Sequence, residues 1–192
     1  MGNGQNRLRP EALGELSENT DFSEDEIRKW YKEFLTDFPD GQLSIDQFKD
    51  IYVQHFPNGD ATKFAEHVFR TFDTDNNKNL DFREFMCALS ITARGGPKDR
   101  LRWAFQMYDV DENGYISKKE CMEIVRAMYH LLGDQLSVSD LQMTPAQRTD
   151  RFFELLDLDK DQKISVDEFY NGVHTDPPLF DLLHNNVTKL LE

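Results

Sequence analysis

Residues 109–120 read DVDENGYISKKE, and two further segments repeat their pattern, DTDNNKNLDFRE at 73–84 and DLDKDQKISVDE at 157–168. Each segment has an acid or amide at positions 1, 3 and 5, an aliphatic residue at 8, a polar residue at 9 and Glu at 12. Ca²⁺ is a hard cation that takes about 6–8 oxygen ligands, and a loop with this spacing wraps them around the ion. The repeat therefore predicts three calcium loops.

Loops of this kind bind the ion through side chains at positions 1, 3, 5, 9 and 12 and through the backbone carbonyl at position 7. The sequence therefore predicts up to three bound Ca²⁺ ions, with Mg²⁺ as the alternative occupant when Ca²⁺ is scarce. The candidate ligands, in chain order, are Asp73, Asp75, Asn77, Asn79, Asp81 and Glu84; Asp109, Asp111, Asn113, Tyr115, Ser117 and Glu120; and Asp157, Asp159, Asp161, Lys163, Ser165 and Glu168.

The loop at 109–120 fits the pattern best because Gly114 occupies position 6, where the chain turns sharply and φ is positive. The other two loops have Lys78 and Gln162 there, and a non-glycine residue costs about 1–2 kcal/mol in left-handed geometry. Against this cost, each of them offers four carboxylates where 109–120 offers three. We expect all three loops to bind calcium, and 109–120 to bind it most tightly.

A fourth segment at 36–47 (TDFPDGQLSIDQ) keeps the same frame without the acids. Gly41 stands at position 6 and Leu43 at position 8, but positions 3 and 12 are Phe38 and Gln47, and position 1 is not acidic either. We therefore expect this loop to bind no metal ion.

Apolar residues recur with the 3.6-residue period of a helix on both sides of each of the four segments. This pattern predicts an all-α protein of four helix–loop–helix units, or EF-hands. EF-hands pair through short strands at position 8, so β-bridges are expected between Leu43 and Leu80 and between Ile116 and Ile164. The four hands then form two paired lobes.

The predicted domain boundaries follow from these units. They are an N-terminal arm with a short helix at 1–22, an N-terminal EF-hand pair at 23–93, a Gly-Gly-Pro linker at 94–97, a C-terminal EF-hand pair at 98–175 and a C-terminal helix or tail at 176–192. Two glycines before a proline make a linker that bends easily. Capping-box patterns, Ser23 with Glu26 and Thr144 with Gln147, predict a helix start in each lobe.

Composition excludes several other classes of protein. A net charge of −14 argues against nucleic-acid binding, which depends on Lys and Arg. The two cysteines, Cys87 and Cys121, lie at apolar positions of helical stretches and are interpreted as core residues. No apolar run reaches the length of about 20 residues that spans a bilayer, and no signal-peptide core follows Met1. A cytoplasmic protein without disulfides is expected.

Seven stretches outside and within the loops resemble one known family: LRPE at 8–11, WYK at 30–32, GDA at 59–61, FAEHVFRTFD at 64–73, DFREF at 81–85, LRWAF at 101–105 and NGYIS at 113–117. The sequence resembles the neuronal calcium sensor family, and within it the hippocalcin, neurocalcin and visinin-like group. The resemblance extends from the N-terminus to about residue 176, and the last residues match less well.

The resemblance implies an N-myristoylated switch that exposes its acyl chain and an N-terminal hydrophobic groove when Ca²⁺ binds. Gly2 is the residue to be acylated, although Asn6 stands where the signal usually has Ser or Thr. The implied partners are target-protein helices and an anionic membrane surface, and the implied location is cytoplasmic and reversibly peripheral to membranes. The groove candidates are Trp30, Phe34, Phe48, Ile51, Tyr52, Phe56, Phe64, Phe69, Phe85 and Leu89.

One acyl chain gives only marginal membrane binding, so a second signal is needed. The basic residues available for anionic headgroups are Arg7, Arg9, Arg94, Lys98, Arg100 and Arg102. Their alternative role is that of ordinary surface charge.

Other functions compete with that of a sensor. A passive calcium buffer would bind the ion without opening, and an EF-hand regulatory subunit of a cyclase or phosphatase would share the fold. An enzyme is disfavoured because the five His are scattered, no phosphate-binding loop occurs, and the clustered acids belong to the calcium loops. The sequence leaves open whether two copies pair as a homodimer.

The ranking of the loops can be tested directly. Glu120→Gln should remove the tightest site from a calorimetric calcium titration, because the position-12 glutamate supplies two oxygens of the cage. Glu84→Gln, the same change in another loop, serves as the control and should remove a weaker site. Survival of the tightest site in Glu120→Gln would contradict the ranking.

Overall fold

The computed structural model describes residues 8–133 and 143–172, so Gly2, Arg7 and the predicted tail at 176–192 lie outside the described residues. The described chain is mostly helical, as predicted, and none of its helices is long and apolar enough to cross a bilayer. Its elements are α1 (Pro10–Asn19), α2 (Glu24–Asp37), β1 (Gln42–Ser44), α3 (Ile45–His55), α4 (Thr62–Phe72), β2 (Asn79–Asp81), α5 (Phe82–Leu89), α6 (Pro97–Tyr108), β3 (Tyr115–Ser117), α7 (Lys118–Leu132), α8 (Pro145–Leu156), β4 (Lys163–Ser165) and α9 (Val166–Gly172).

Both predicted capping boxes are confirmed. The Ser23 hydroxyl accepts a hydrogen bond from the Glu26 backbone N–H, and the Glu26 carboxylate accepts one from the Ser23 N–H in return. Thr144 and Gln147 make the same reciprocal pair at the start of α8. Each box satisfies two N–H groups that a helix N-terminus would otherwise leave without a partner.

The position-8 bridges are also confirmed. Strand β1 pairs antiparallel with β2 and places Leu43 opposite Leu80, and β3 pairs with β4 and places Ile116 opposite Ile164. All four side chains are buried. Each bridge therefore joins two neighbouring loops and contributes apolar surface to the core at the same point.

The core is continuous through both halves of the described chain. Helix α4 contacts helices of both halves, α3 and α5 of the first and α6 and α7 of the second. Between α5 and α6 the chain forms a π-helical turn, Ser90–Arg94, before α6 begins at Pro97. The lobes are thus in close contact, and the division of the chain at 94–97 stays a prediction.

A tight backbone junction adds to the contact between the lobes. The N–H of Asp60, in the α3–α4 connection, donates to the carbonyl of His130 near the end of α7 at 2.8 Å. Gly59 lies so close that a Cβ at this position would be 2.0 Å from the Leu131 carbonyl oxygen. Only a residue without a side chain fits there without movement of the backbone.

Gly59→Ala should lower the free energy of unfolding by about 1–3 kcal/mol, the usual cost of overpacking. Gly14→Ala is the matched control, because nothing lies within 4 Å of a Cβ added at that position of α1. Alanine there should be neutral or stabilise the helix by up to about 1 kcal/mol. Urea unfolding at one fixed calcium concentration measures both variants, and equal stability of Gly59→Ala and the parent would contradict the tight junction.

Candidate metal centres

Three groups of acidic side chains converge within residues 8–133 and 143–172, one in each predicted loop. In each group, one oxygen from every member lies within 4.8 Å of the others. Oxygens on opposite sides of one Ca²⁺ ion are about 5 Å apart, because each Ca–O distance is about 2.3–2.6 Å. Each group therefore has the size of a calcium cage. The groups are Asp73, Asp75 and Glu84; Asp109, Asp111 and Glu120; and Asp157, Asp159 and Asp161.

Backbone N–H groups orient the acids of the 109–120 loop. Asp109, at the C-terminal end of α6, accepts hydrogen bonds from the N–H groups of positions 5 and 6 at 3.0 and 2.9 Å. Glu120, in the first turn of α7, accepts from the N–H of position 2 at 2.9 Å and from the N–H of position 9 at 2.8 Å. The two carboxylates are held on opposite sides of the loop, facing its interior.

The electrostatics of these acids favour a cation. Burial raises the pKa of Asp109 and of Asp73, and neighbouring carboxylates add to the shift while backbone hydrogen bonds oppose it. Burial also opposes ionisation of Glu120, but its hydrogen bonds from Ser117 and from the loop backbone lower its pKa overall. Ionised carboxylates that are buried and close together are destabilised by desolvation and repulsion, and a divalent cation offsets both.

A threonine in the 73–84 loop was not predicted as part of the site. The N–H and the hydroxyl of Thr74 both donate to Glu84 Oε1 at 2.8 Å, while the N–H of Asp81 donates to Oε2 at 3.1 Å. The signal in the sequence was a hydroxyl at position 2, where the other two loops have an aliphatic residue. Thr74 thus fixes the orientation of the position-12 carboxylate.

The 157–168 loop contains a buried carboxylate oxygen without a protein partner. Asp157 Oδ1 is buried and has no hydrogen-bond partner among the described residues, whereas Oδ2 accepts from the N–H of Gln162 at 3.1 Å. A buried oxygen left without a partner is costly, and a bound cation would satisfy it. Glu168 accepts from the N–H groups of Leu158 at 3.0 Å and Ser165 at 2.9 Å, in the arrangement that Glu120 has in its own loop. The donor set therefore fits Ca²⁺.

The backbone at position 6 is left-handed in every loop, as the spacing predicted. The φ angle is 74° at Gly41 and 85° at Gly114, and it is 65° at Lys78 and 68° at Gln162. The N–H of Lys78 donates to Asp73 Oδ2 at 2.9 Å, which holds the strained residue in place. The 73–84 and 157–168 loops therefore pay the conformational cost that 109–120 avoids.

The segment at 36–47 has the frame of a calcium loop but not its interior. No acidic group found in the described chain includes a residue of this segment. At position 3, Phe38 packs on Phe34 with ring centroids 5.1 Å apart, and at position 12 Gln47 caps α3 by accepting from the Ser44 N–H at 2.9 Å. That it binds no ion stays a prediction, and the replacement of ligands by packing and capping agrees with it.

Comparisons with known proteins place the chain in one family. Residues 98–173 match the EF-hand domain pair. Neuronal calcium sensor 1 of Lymnaea stagnalis is 41% identical over 183 residues, which are 95% of this chain and 96% of the relative. Recoverin of Homo sapiens is 38% identical over 195 residues, 100% of this chain and 98% of the relative, and visinin of Gallus gallus is 36% identical over 192 residues, 98% and 100%. The chain belongs to the neuronal calcium sensor family.

Membership of the neuronal calcium sensor family confirms two predictions. The protein is a calcium sensor rather than an enzyme, and its EF-hand pair and acidic loops support binding of Ca²⁺. Which side chains bind each ion, and how many ions are bound, stay predictions.

The candidate groove residues of this neuronal calcium sensor are packed inward. Six of them are buried in the core, and four are half-buried against it. The buried residues are Phe34, Tyr52, Phe56, Phe64, Phe69 and Leu89, and the half-buried ones are Trp30, Phe48, Ile51 and Phe85. In this arrangement the ten side chains form the interior of the N-terminal lobe, so a groove requires the helices to separate.

One of the basic residues expected to contact headgroups is occupied within the protein. The Arg94 guanidinium donates to the Asp21 carbonyl at 2.6 Å, pairs with the Glu26 carboxylate at 2.5 Å and lies 4.1 Å from the centre of the Phe22 ring. Its hydrogen bond to Glu26 is the main cause that lowers the pKa of Glu26 to about 2. Arg94 therefore joins the start of α2 to the end of the π-helical turn, which sequence analysis did not predict.

Asp157→Asn should abolish calcium binding by the 157–168 loop, since it removes the charge of the position-1 ligand. Asp167→Asn is the matched control: it removes the same charge from the same loop at position 11, which supplies no ligand, and Asp167 is exposed. Calorimetric titration should lose one equivalent of bound Ca²⁺ in the first variant and change by less than about 1 kcal/mol in the second. An undiminished stoichiometry in Asp157→Asn would contradict the assignment of this loop.

Proposed function

We propose that this protein is a switch that binds three Ca²⁺ ions and, on binding, exposes an apolar groove in its N-terminal lobe and a myristoyl group on Gly2. The exposed surface then engages target-protein helices and anionic membranes on their cytoplasmic side. The proposal rests on calcium sensing, the function that membership of the family shows. It goes beyond calcium sensing in three respects: exposure of the apolar groove, acylation of Gly2 and binding to membranes.

The observation that supports exposure best is the division of the aromatic core into two ring clusters. The α2/α5 cluster contains Trp30, Phe34 and Phe85, with centroids 6.2 Å apart for Trp30–Phe85 and 5.1 Å apart for Phe34–Phe85. The α3/α4 cluster contains Phe48, Tyr52, Phe56, Phe64 and Phe69, with centroids 4.9 to 6.3 Å apart along the chain of contacts. Each cluster joins a helix of the first hand to a helix of the second.

This division means that the second hand can open the lobe. Helices α4 and α5 flank the 73–84 loop and belong to different ring clusters. A change in the angle between them would carry α3 with α4 and α2 with α5, and the inner faces of both clusters would be uncovered together. Sensor EF-hand pairs open in this way, from an interhelical angle of about 130–140° to about 90–100°.

Glu84 is the residue that would transmit binding to the helices. It lies in the first turn of α5, and its carboxylate is held by Thr74 on the opposite side of the loop. The carboxylates of Asp73, Asp75 and Glu84 would hold a bound Ca²⁺, and the charge of the ion would offset the repulsion among them. Because Glu84 is fixed to α5, a shift of its carboxylate reorients the start of that helix relative to α4.

A cleft with apolar side chains near the N-terminal arm supports the acyl part of the proposal. Helix α1 buries Leu13 and Leu16 against the lobe. Beside it lies an open cleft of about 650 Å³. Apolar residues, among them Leu8, Tyr31, Phe34 and Phe82, line part of this cleft, and charged residues, Glu15, Asp40, Asp81 and Arg83, line the rest. Gly2 is only six residues before Leu8 in the chain, so a myristoyl group on Gly2 is within reach of this cleft.

The headgroup contacts are best assigned to the basic residues that are exposed. Arg9, Lys98 and Arg102 are exposed, whereas Arg94 is engaged with Asp21 and Glu26. On a protein with a net charge of −14, these exposed cations would supply the second membrane signal that a single acyl chain requires.

Co-sedimentation with vesicles containing phosphatidylserine tests the switch. Protein made with an N-myristoyltransferase should pellet with vesicles in Ca²⁺ and stay in solution in chelator. Gly2→Ala, which cannot be acylated, should stay in solution in both conditions. Arg9→Glu on the acylated protein should reduce pelleting with anionic vesicles but not the stoichiometry of calcium binding.

Two other results would contradict parts of the proposal. Pelleting of acylated protein in chelator as well as in Ca²⁺ would indicate a permanent anchor and exclude the acyl switch. An apolar fluorescent dye that shows no calcium-dependent increase in emission with Gly2→Ala would exclude exposure of the groove and indicate a buffer, because buffer EF-hands barely open.

A further inference from the structure

Three consecutive residues at the end of α4 bind α6 of the other lobe. Arg70, Thr71 and Phe72 contact the C-terminal half of α6, and we call this set of contacts the α4–α6 clasp. Its members on the α6 side are Trp103, Gln106, Met107 and Asp109. Both helices end at a calcium loop: Asp73 follows α4 directly, and Asp109 follows α6 directly.

Arg70 makes the most specific contacts of the clasp. Its Nη2 donates to the carbonyls of Gln106 and Met107 at 3.0 Å each, and its Nη1 donates to the carbonyl of Asp109 at 3.2 Å. These carbonyls belong to the last turn and the C-cap of α6, where no intrahelical N–H is available to them. A cation is also favoured at the negative end of a helix dipole. An arginine of one lobe therefore caps a helix of the other lobe.

The two neighbours of Arg70 reinforce the same contact. The indole N–H of Trp103 donates to the Thr71 hydroxyl at 2.8 Å, and the Trp103 ring stacks on Phe72 with centroids 5.8 Å apart and an interplanar angle of 13°. Phe72, Trp103 and Met107 are buried, and the Arg70 side chain is only 22% exposed. The clasp is therefore a packed contact in which both terminal nitrogens of the Arg70 guanidinium are hydrogen-bonded, while its buried Nε has no hydrogen-bond partner among the described residues. It differs from an exposed ion pair, which contributes little.

Position 1 of both central loops depends on this contact. Asp73 is one residue beyond Phe72, and its N–H donates to the Phe69 carbonyl of α4. Asp109 is itself a member of the clasp through its carbonyl, while its carboxylate belongs to the 109–120 cage. Both residues line the same cleft of about 1030 Å³ between the lobes. A movement of either helix end is thus transferred to the first ligand of the other loop.

We propose that Arg70 is a positioning residue that couples the calcium loops at 73–84 and 109–120, so that an ion bound in one raises the affinity of the other. The inference rests on the proposed binding of Ca²⁺ by both loops. It adds that the two sites act as a pair across the lobes, although neither shares a β-bridge with the other: β2 pairs with β1, and β3 pairs with β4.

The test is a cycle of calorimetric titrations with Ca²⁺ in a background carrying Asp157→Asn, which leaves only the two central loops. Three proteins are compared in this background. The first has both central loops intact, the second carries Glu84→Gln and keeps only the 109–120 loop, and the third carries Glu120→Gln and keeps only the 73–84 loop. The coupling factor is the product of the two association constants in the intact protein divided by the product of the two single-site constants. With Arg70 present we expect a coupling factor of about five or more. By linkage, an ion in the 73–84 loop and an ion in the 109–120 loop must each raise the affinity of the other loop by this same factor.

The same cycle is repeated in three Arg70 and control variants. Arg70→Met should bring the factor to within about twofold of one, and Arg70→Lys should retain part of it, because lysine keeps the charge but not the fork of donors. Arg28→Met is the matched control: Arg28 is exposed on α2 in an ion pair with Glu24, and α2 makes its main contacts with α1 and α5 rather than with α4 or α6. Its coupling factor should equal that of the parent.

The single-site constants separate coupling from folding. In Arg70→Met the two single-site constants should change by less than about threefold, because the ligands are intact. Only the product of the two association constants measured with both loops intact should fall. An unchanged coupling factor in Arg70→Met would overturn the inference, and so would the loss of both single-site affinities, since Arg70 would then be only structural. Absence of calcium binding in every protein of the cycle would instead overturn the proposed function itself.

Discussion

The glutamate at position 12 connects metal chemistry to helix packing in every calcium loop of this protein. Glu84 and Glu120 each lie in the first turn of an outgoing helix and accept hydrogen bonds from the backbone at the beginning of the same loop. The carboxylate therefore spans the loop from its last residue to its second. Because a helix is rigid, the position that a bound cation would impose on this carboxylate also determines the orientation of the outgoing helix.

The β-bridges extend this constraint from one hand to its neighbour. Leu43 and Leu80 are paired through their backbones and are both buried. Any movement of the 73–84 loop is therefore transmitted to the 36–47 segment. This explains why a segment without ligands keeps a left-handed glycine and an aliphatic residue at position 8. Its task is to support the neighbouring loop and to attach α2 and α3 to it, while Phe38 and Gln47 use the freed positions for packing and capping.

The sequence predicts the features whose determining contacts are local. The left-handed backbone at Lys78 and Gln162, the capping boxes and the position-8 pairs all follow from spacings within a loop or from the pairing rule for two loops. It did not predict Arg70 on the α6 carbonyls or Arg94 on Glu26, which join residues more than thirty positions apart with no periodic pattern. The sequence neighbours of Arg94 indicate only a surface cation, and it is the fold that brings Asp21, Phe22 and Glu26 to it.

The contacts between the lobes have a consequence for the apolar groove. Phe64 and Phe69 of the α3/α4 ring cluster stand on the same helix as Arg70 and Phe72, which hold α6. The groove residues are therefore attached to the C-terminal lobe through one rigid helix, in addition to the Asp60–His130 junction. An opening that moved α4 relative to α6 would have to break this attachment, whereas an opening in which α2 and α5 moved away from α4 would keep it. The packing thus favours an opening of the N-terminal lobe in which α4 keeps its contacts with α6 and the helices α2 and α5 are the ones that move.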